Sequence, residues 1–147
     1  MKQITIRLGL ATKPWQVVEK WTDYDWTNSS GVFENASDII LTWPREENNR
    51  LVVEVTHTRV EEASRLIAYD HQGKIYDAEE SPGGRGKNLV RRVYRFADEK
   101  LSDIRRFEFQ RRPYDAWITF KNVSLQSGHR TDVQAETEHP APPIQGR

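Results

Sequence analysis

The chain predicts an all-β fold, an antiparallel β-sandwich of jelly-roll-like or Ig-like type with at most one short helix, and three observations lead there. Apolar residues recur at every second position in one segment after another, the spacing of a half-buried strand. Turn-forming clusters interrupt these segments about every ten residues, which suits a sandwich or barrel of about seven to nine short strands rather than a parallel sheet. The block from Phe107 to Leu125 sets two strand-like segments around a proline corner and carries rings and a tandem arginine, the composition of a β keystone.

In chain order, Ile4, Ile6, Leu8 and Leu10 alternate with polar or small residues, and Trp15 to Val18 continues after the Lys13-Pro14 break. Val32-Phe33 and Asp38 to Trp43 follow, and Pro44 with Glu46 to Arg50 reads as a turn. Leu51, Val53 and Val55 form a β-branched strand face. Arg65 to Asp70 runs into His71-Gln-Gly73, and Lys74 to Tyr76 returns as a hairpin, because Gly73 can take a left-handed conformation. Ser81 to Gly86 reads as an exposed loop, and Leu89 to Phe96 as a strand. Ala97 to Ile104 has early carboxylates but is barely two turns long, so it predicts a single α or 3₁₀ turn between strands. Phe107 and Phe109 share one face. Ile118 and Phe120 share another, yet Val123 and Leu125 have the opposite parity, so a bulge near Lys121-Asn122 is expected to restore one inward face. Pro113 suits the corner between the last two strands, since it fixes its own φ and extends Arg112. The expected core is Ile6, Leu8, Trp15, Ile39, Leu41, Val53, Val55, Leu66, Ala68, Tyr94, Phe96, Phe107, Phe109, Trp117, Phe120, Val123 and Leu125.

A length of 147 residues suits one domain, taken as residues 1–126, followed by a proline-rich polar tail or linker over 127–147. No apolar run approaches the ~20 residues that span a bilayer. The N-terminal segment alternates in polarity and lacks the apolar stretch of a signal peptide. The absence of cysteine excludes disulfides, thiolate zinc sites and cysteine nucleophiles, and suits either the cytoplasm or an extracytoplasmic domain of a larger protein. Net charge is zero, but Glu19 to Glu80 holds fourteen acidic and six basic residues, while Arg85 to Lys121 holds eleven basic and five acidic ones. Such a split resolves either as cross-strand ion pairs or as a basic face for an anionic partner, and the ion-pair outcome is expected.

Gly9-Leu-Ala-Thr-Lys-Pro-Trp15 resembles a G-x-A-x-x-P-W opening, Ala68-Tyr-Asp-His-Gln-Gly-Lys74 an A-x-D-x-x-G-K segment, and Phe107 to Leu125 a close containing Q-x-R-P-Y-x-W-x-x-F-x-N-V-x-L. Together these are similar to a poorly characterised bacterial domain found beside membrane-anchored zinc metallopeptidases of the β-lactam-sensor type and in other multi-domain proteins. The resemblance covers roughly residues 5 to 128, departs from the pattern where Asp115-Ala116 adds a residue before Trp117, and implies a fold and a context rather than an activity. The peptidase helix motif is absent.

Chemical motifs fare poorly against ordinary structural explanations. His57, His71, His129 and His139 form no H-E-x-x-H pair, so neither a metal site nor any cofactor is expected. Adjacent carboxylates such as Glu46-Glu47, Glu61-Glu62 and Glu79-Glu80 point to opposite faces of a strand and make no acid–base pair. Ser81 to Lys87 lacks the spacing of a phosphate loop. Arginines interleaved with rings between Arg91 and Arg112 suggest nucleic acid, but strand alternation turns the rings inward and neutral net charge weakens phosphate attraction, so no nucleic-acid partner is expected. The expected function is a non-catalytic binding or interaction module, sensory or regulatory, with an unknown protein or glycan partner. Its ligand-binding residues are taken as Trp21, Tyr24 and Trp26, in a polar segment hard to bury whole, with Arg91 and Arg105 for an anionic partner. The alternative is a carbohydrate-binding sandwich stacking sugars on exposed Trp15, Trp21, Trp26 or Trp43. A small hydrolase has little support.

Overall fold

The computed structural model describes residues 3–23, 32–34, 39–58 and 62–139. It is all-β, with three antiparallel sheets, and divides into two compact units, one of Met1–Pro14 with Arg112–Arg147 and one of Trp15–Arg111. Thirteen strands occur among the described residues, more than expected, because several are short edge pieces with little apolar signal.

In the Trp15–Arg111 unit, one sheet has the order β3(Val32–Glu34), β4(Ile39–Thr42), β6(Arg50–Thr58), β10(Leu89–Ala97), β9(Glu79–Arg85), with β5(Arg45–Glu47) also paired to β6. The other has the order β2(Gln16–Thr22), β11(Ile104–Pro113), β7(Glu62–Asp70), β8(Ile75–Asp77). The core draws on both. Ile39, Leu41, Leu51, Val53, Val55, Tyr94 and Phe96 come from the first sheet, and Trp21, Leu66, Ala68, Phe107 and Phe109 from the second.

Turn chemistry explains the connections. Asn48 (φ 51°) and Asn49 (φ 59°) are both left-handed, the pair of angles that a two-residue I′ hairpin needs between β5 and β6. The expected turn at 46–50 is therefore tighter and admits a strand. The β7–β8 hairpin forms as predicted, with Ala68 opposite Tyr76 and Gly73 at φ 85°. Its Asp70 carboxylate accepts the N–H groups of Gln72 (2.9 Å) and Lys74 (2.8 Å) and the Tyr76 hydroxyl (3.1 Å). Leu101–Asp103 is a single 3₁₀ turn between β10 and β11, matching the expected bridge.

The segment Ser81 to Gly86, read as a loop, is mostly strand. Through Arg85 it is part of β9, an edge strand where Pro82 loses no ladder bond the sheet depends on. Gly83 is the extra residue of a bulge opposite Arg91–Arg92, and a Cβ there would lie 2.8 Å from Arg91 Cγ.

The second unit holds a three-stranded sheet, β1(Gln3–Leu10), β12(Ala116–Ser124), β13(Gln134–Glu138). The bulge expected near Lys121-Asn122 is present: Ile4 pairs Val123 but Ile6 pairs Phe120, and Asn122 is left-handed at φ 61°. β13 falls within the stretch read as a tail; it is exposed throughout and joined to β12 by backbone pairing and a Lys121–Glu136 ion pair of 2.7 Å. Ile6 and Leu8 were expected in the core, yet Leu8 is 48 % exposed and Ile6 is also exposed, because β1 is the edge of a sheet only three strands wide. Leu125 lies beyond the end of β12 and is exposed, whereas Trp15, Trp117, Phe120 and Val123 are half-buried.

The sequence motifs at the two ends of the chain meet in this unit. A Cβ on Gly9 would sit 2.8 Å from Tyr114 Cγ and 3.0 Å from the Trp117 ring, so only glycine lets β1 pass beneath these rings. Tyr114 meets Trp117 edge-on at 5.3 Å, and the Arg7 guanidinium lies 4.1 Å over the Trp117 ring.

Candidate interaction face

Along β11, Phe107 and Phe109 turn inward, so Arg106, Glu108 and Gln110 project from the opposite face of the four-stranded sheet. Glu108 is the centre of that face. Its side chain is only 5 % exposed, and it accepts from Arg106 Nε (3.0 Å), Tyr69 Oη (3.2 Å) and Gln110 Nε2 (3.1 Å), with Lys20 Nζ at 3.8 Å. A buried carboxylate is tolerable only with such partners, since an isolated one loses its hydration without return.

The chain of contacts extends outward from Glu108. Gln110 Oε1 accepts from Arg65 Nε at 2.9 Å, and the Arg65 guanidinium lies 4.5 Å over the Trp15 ring. The Arg106 guanidinium lies 3.8 Å over the Tyr69 ring. Two arginines are thus laid on two rings, each anchored through Nε, while their terminal nitrogens have no protein acceptor among the described residues and are not buried. Lys20 adds a third cation, 60 % exposed. Lys20, Arg65 and Arg106 outnumber the carboxylates on this side of the sheet, Glu108 and the exposed Asp77 that β8 sets opposite Ile67, so the face attracts negative charge.

The residues expected to bind ligand are dispersed. Trp21 is 1 % exposed and packs in the core opposite Phe107, so it offers no stacking surface; its strand neighbours Lys20 and Thr22 sit on the other side of β2. Tyr24 and Trp26 lie outside the described residues. Arg91 stands on β10 of the six-stranded sheet, where its Nε donates to Glu54 at 2.7 Å, while Arg105 is exposed at the start of β11 in the other sheet. Of the remaining tryptophans proposed for sugars, Trp43 packs against the core and Trp15 carries Arg65 on its ring.

Charge pairing took the structural outcome expected of it. Glu54 also accepts from Arg45 Nη2 at 2.8 Å, Arg92 Nη1 meets Glu80 at 3.2 Å, and Arg50 Nη1 meets Glu79 at 3.0 Å. Of these, Arg91–Glu54 and Arg92–Glu80 link the acidic part of the sequence to the basic part across neighbouring strands, whereas Arg45–Glu54 and Arg50–Glu79 pair charges within the acidic part. The Trp15–Arg65–Gln110–Glu108–Arg106–Tyr69 chain escaped sequence reading because its members are contributed by two strands, β7 and β11, and by the residue that precedes a third. The alternation of Arg106, Glu108 and Gln110 against two phenylalanines was its only local signal.

Elsewhere the Trp15–Arg111 unit has an open polar groove of about 420 Å³, lined by Glu46, Asn48, Asn49, Arg50, Asp98, Glu99 and Lys100. Burial raises the Glu99 carboxyl above its ordinary value, outweighing Lys74, but Glu46 is already engaged by the Leu101 N–H at 3.0 Å and no serine, threonine or histidine is among the residues lining the groove. Among the described residues no group of three or more histidines and carboxylates is arranged to hold a metal ion, and no helix is long and apolar enough to cross a membrane. No protein-family model, curated protein or solved structure matches this chain.

Proposed function

We propose that this protein is a non-catalytic binding module that presents the β2–β11–β7 face to an acidic segment of a partner protein. The observation that carries the reading is the pair of ring-stacked guanidiniums, Arg65 on Trp15 and Arg106 on Tyr69, held from behind by one buried carboxylate through Glu108 and Gln110. Anchoring each arginine at Nε removes rotamer freedom before the partner arrives, which lowers the entropy lost on binding. The outward nitrogens remain for carboxylates. The same arrangement offers no nucleophile–base pair.

In this reading the Trp15–Arg111 unit is a β-sandwich, supported by a core shared between its two sheets. The contact of Gly9 with Tyr114 and Trp117 supports the proposed kinship with the bacterial domain whose opening and closing motifs these residues resemble. The test is retention on an immobilised acidic-peptide library with a glycan array in parallel. Wild-type protein should retain acidic peptides in a salt-sensitive manner, and the Arg65→Gln/Arg106→Gln double variant should lose that retention while remaining folded. Glycan retention with no peptide binding, or substrate turnover, would replace this reading.

A further inference from the structure

The inward end of β11 contains a charge that the fold does not answer. Arg111 continues the Phe107–Phe109 alternation and faces inward, with only 8 % of the residue exposed. Its Nε and Nη2 are buried without a hydrogen-bond partner, and its contact is the Phe109 ring at 5.4 Å. Arginine does not shed its proton inside proteins, so the charge stays. Across the core, Arg92 and Tyr94 project from β10 on the face that meets Val55 and Val53. Arg92 gives Nη1 to Glu80 but leaves Nε buried and unpartnered, and the Tyr94 hydroxyl is buried with the Ser64 side chain beside it. Arg92, Arg111 and Glu80 are the charged groups that act on that hydroxyl; burial above all, then Glu80, raises its pKa, so it remains a proton donor.

Two guanidiniums face one partly exposed carboxylate, and three guanidinium nitrogens, Arg111 Nε and Nη2 and Arg92 Nε, lack acceptors. Burying such donors unpaired is costly, and more so for charged ones, so a cluster of them marks a missing acceptor. We propose that Arg111, Arg92 and Tyr94 form an internal receptor for a small oxyanion, a carboxylate or phosphate group, gripped by the side-on Nε/Nη2 fork of Arg111. It is separate from the Glu108 face, since Arg111 and Glu108 point to opposite sides of the sheet.

The experiment follows the arginine Nε–Hε signals of the full chain by ¹⁵N-edited NMR during titration with inorganic phosphate and, separately, sodium acetate, against sodium chloride of equal ionic strength. Saturable shifts of both the Arg111 and Arg92 signals are expected in at least one arm, and which arm saturates identifies the oxyanion. The same anion should raise Tm by about 5–10 °C at a hundredfold excess over Kd. Arg111→Gln should abolish saturation; Arg92→Lys, which keeps the charge and loses Nε, should weaken it at least tenfold; Arg105→Gln should leave it unchanged. Should Arg111→Gln fail to fold, the wild-type titration and Arg92→Lys still decide. Shifts no larger than those in chloride, or saturation that survives either core substitution, would overturn the proposal.

Discussion

Asp115 closes the gap between the two ends of the chain by accepting from Thr12 twice, from its backbone N–H at 2.9 Å and from its hydroxyl. The Asp115 N–H in turn donates to Leu10 O at 2.9 Å, so the corner after Pro113 and the end of β1 are tied in both directions. The residue that departs from the R-P-Y-x-W pattern therefore has a local structural task.

That task makes an acid-stability prediction. The Thr12 hydroxyl first, then the Thr12 N–H, lower the Asp115 pKa below its ordinary 3.8. A carboxylate held below its unfolded value contributes stability above that value and loses it as pH falls through the folded one. Asp115→Asn should therefore lower Tm at neutral pH and reduce the further loss of Tm between about pH 4 and pH 2. Parallel acid limbs for the two proteins would refute it.

Gly9→Ala should destabilise the unit containing β1 by about 1–3 kcal/mol, the cost of overpacking a formed contact. The Cβ would be 2.8 Å from Tyr114 and 3.0 Å from Trp117, both rings rather than flexible chain ends. Near-UV circular dichroism reports the edge-on ring pair directly, and an unchanged aromatic signal with unchanged Tm would show that β1 shifts freely.

Phe109 and Phe120, once expected to be equally buried, should now separate. Phe109 is fully buried and meets the His57 ring at 5.3 Å, so Phe109→Ala should cost about 3–5 kcal/mol. Phe120 is half-buried, and its loss should cost about 1–2 kcal/mol. Urea denaturation of both variants checks the order, and equal losses would reject it.

Glu108→Ala should cost about 1.5–3 kcal/mol, the value of hydrogen bonds to a charged group, because Arg106, Tyr69 and Gln110 lose one acceptor together. Glu108→Gln, which retains an acceptor oxygen, should cost less and weaken acidic-peptide retention little. A glutamine variant as unstable as the alanine one would mean that the charge itself, and not the geometry, holds the arginines.

Local chemistry was legible where one segment decides its own structure. The β7–β8 hairpin followed from Gly73, the bulge from a parity break at Lys121-Asn122, and the 3₁₀ bridge from a stretch too short for a stable helix. Inward faces of β4, β6, β7, β10 and β11 also followed from alternation. Alternation is blind to cover from outside. Val52, Val93 and Ile67 occupy outward positions yet are buried, and Glu108 is buried by neighbours on other strands. β13 carries no apolar residue but Ala135, so a pattern of burial had nothing to detect. The Trp15–Arg65 and Tyr69–Arg106 pairs depend on strand order, which period-two spacing does not encode.

The three-stranded sheet places β1 beside β12, and these partners are 105 residues apart in the chain between Leu10 and Ala116. On a ribosome adding about 5–20 residues per second, β1 waits roughly 5–20 s for its partner to be made. Trp15–Arg111 has by then emerged with all the strands of its own two sheets, so it can acquire structure first. Maturation therefore runs from the Trp15–Arg111 unit outward, with β1, translated before that unit, secured after it.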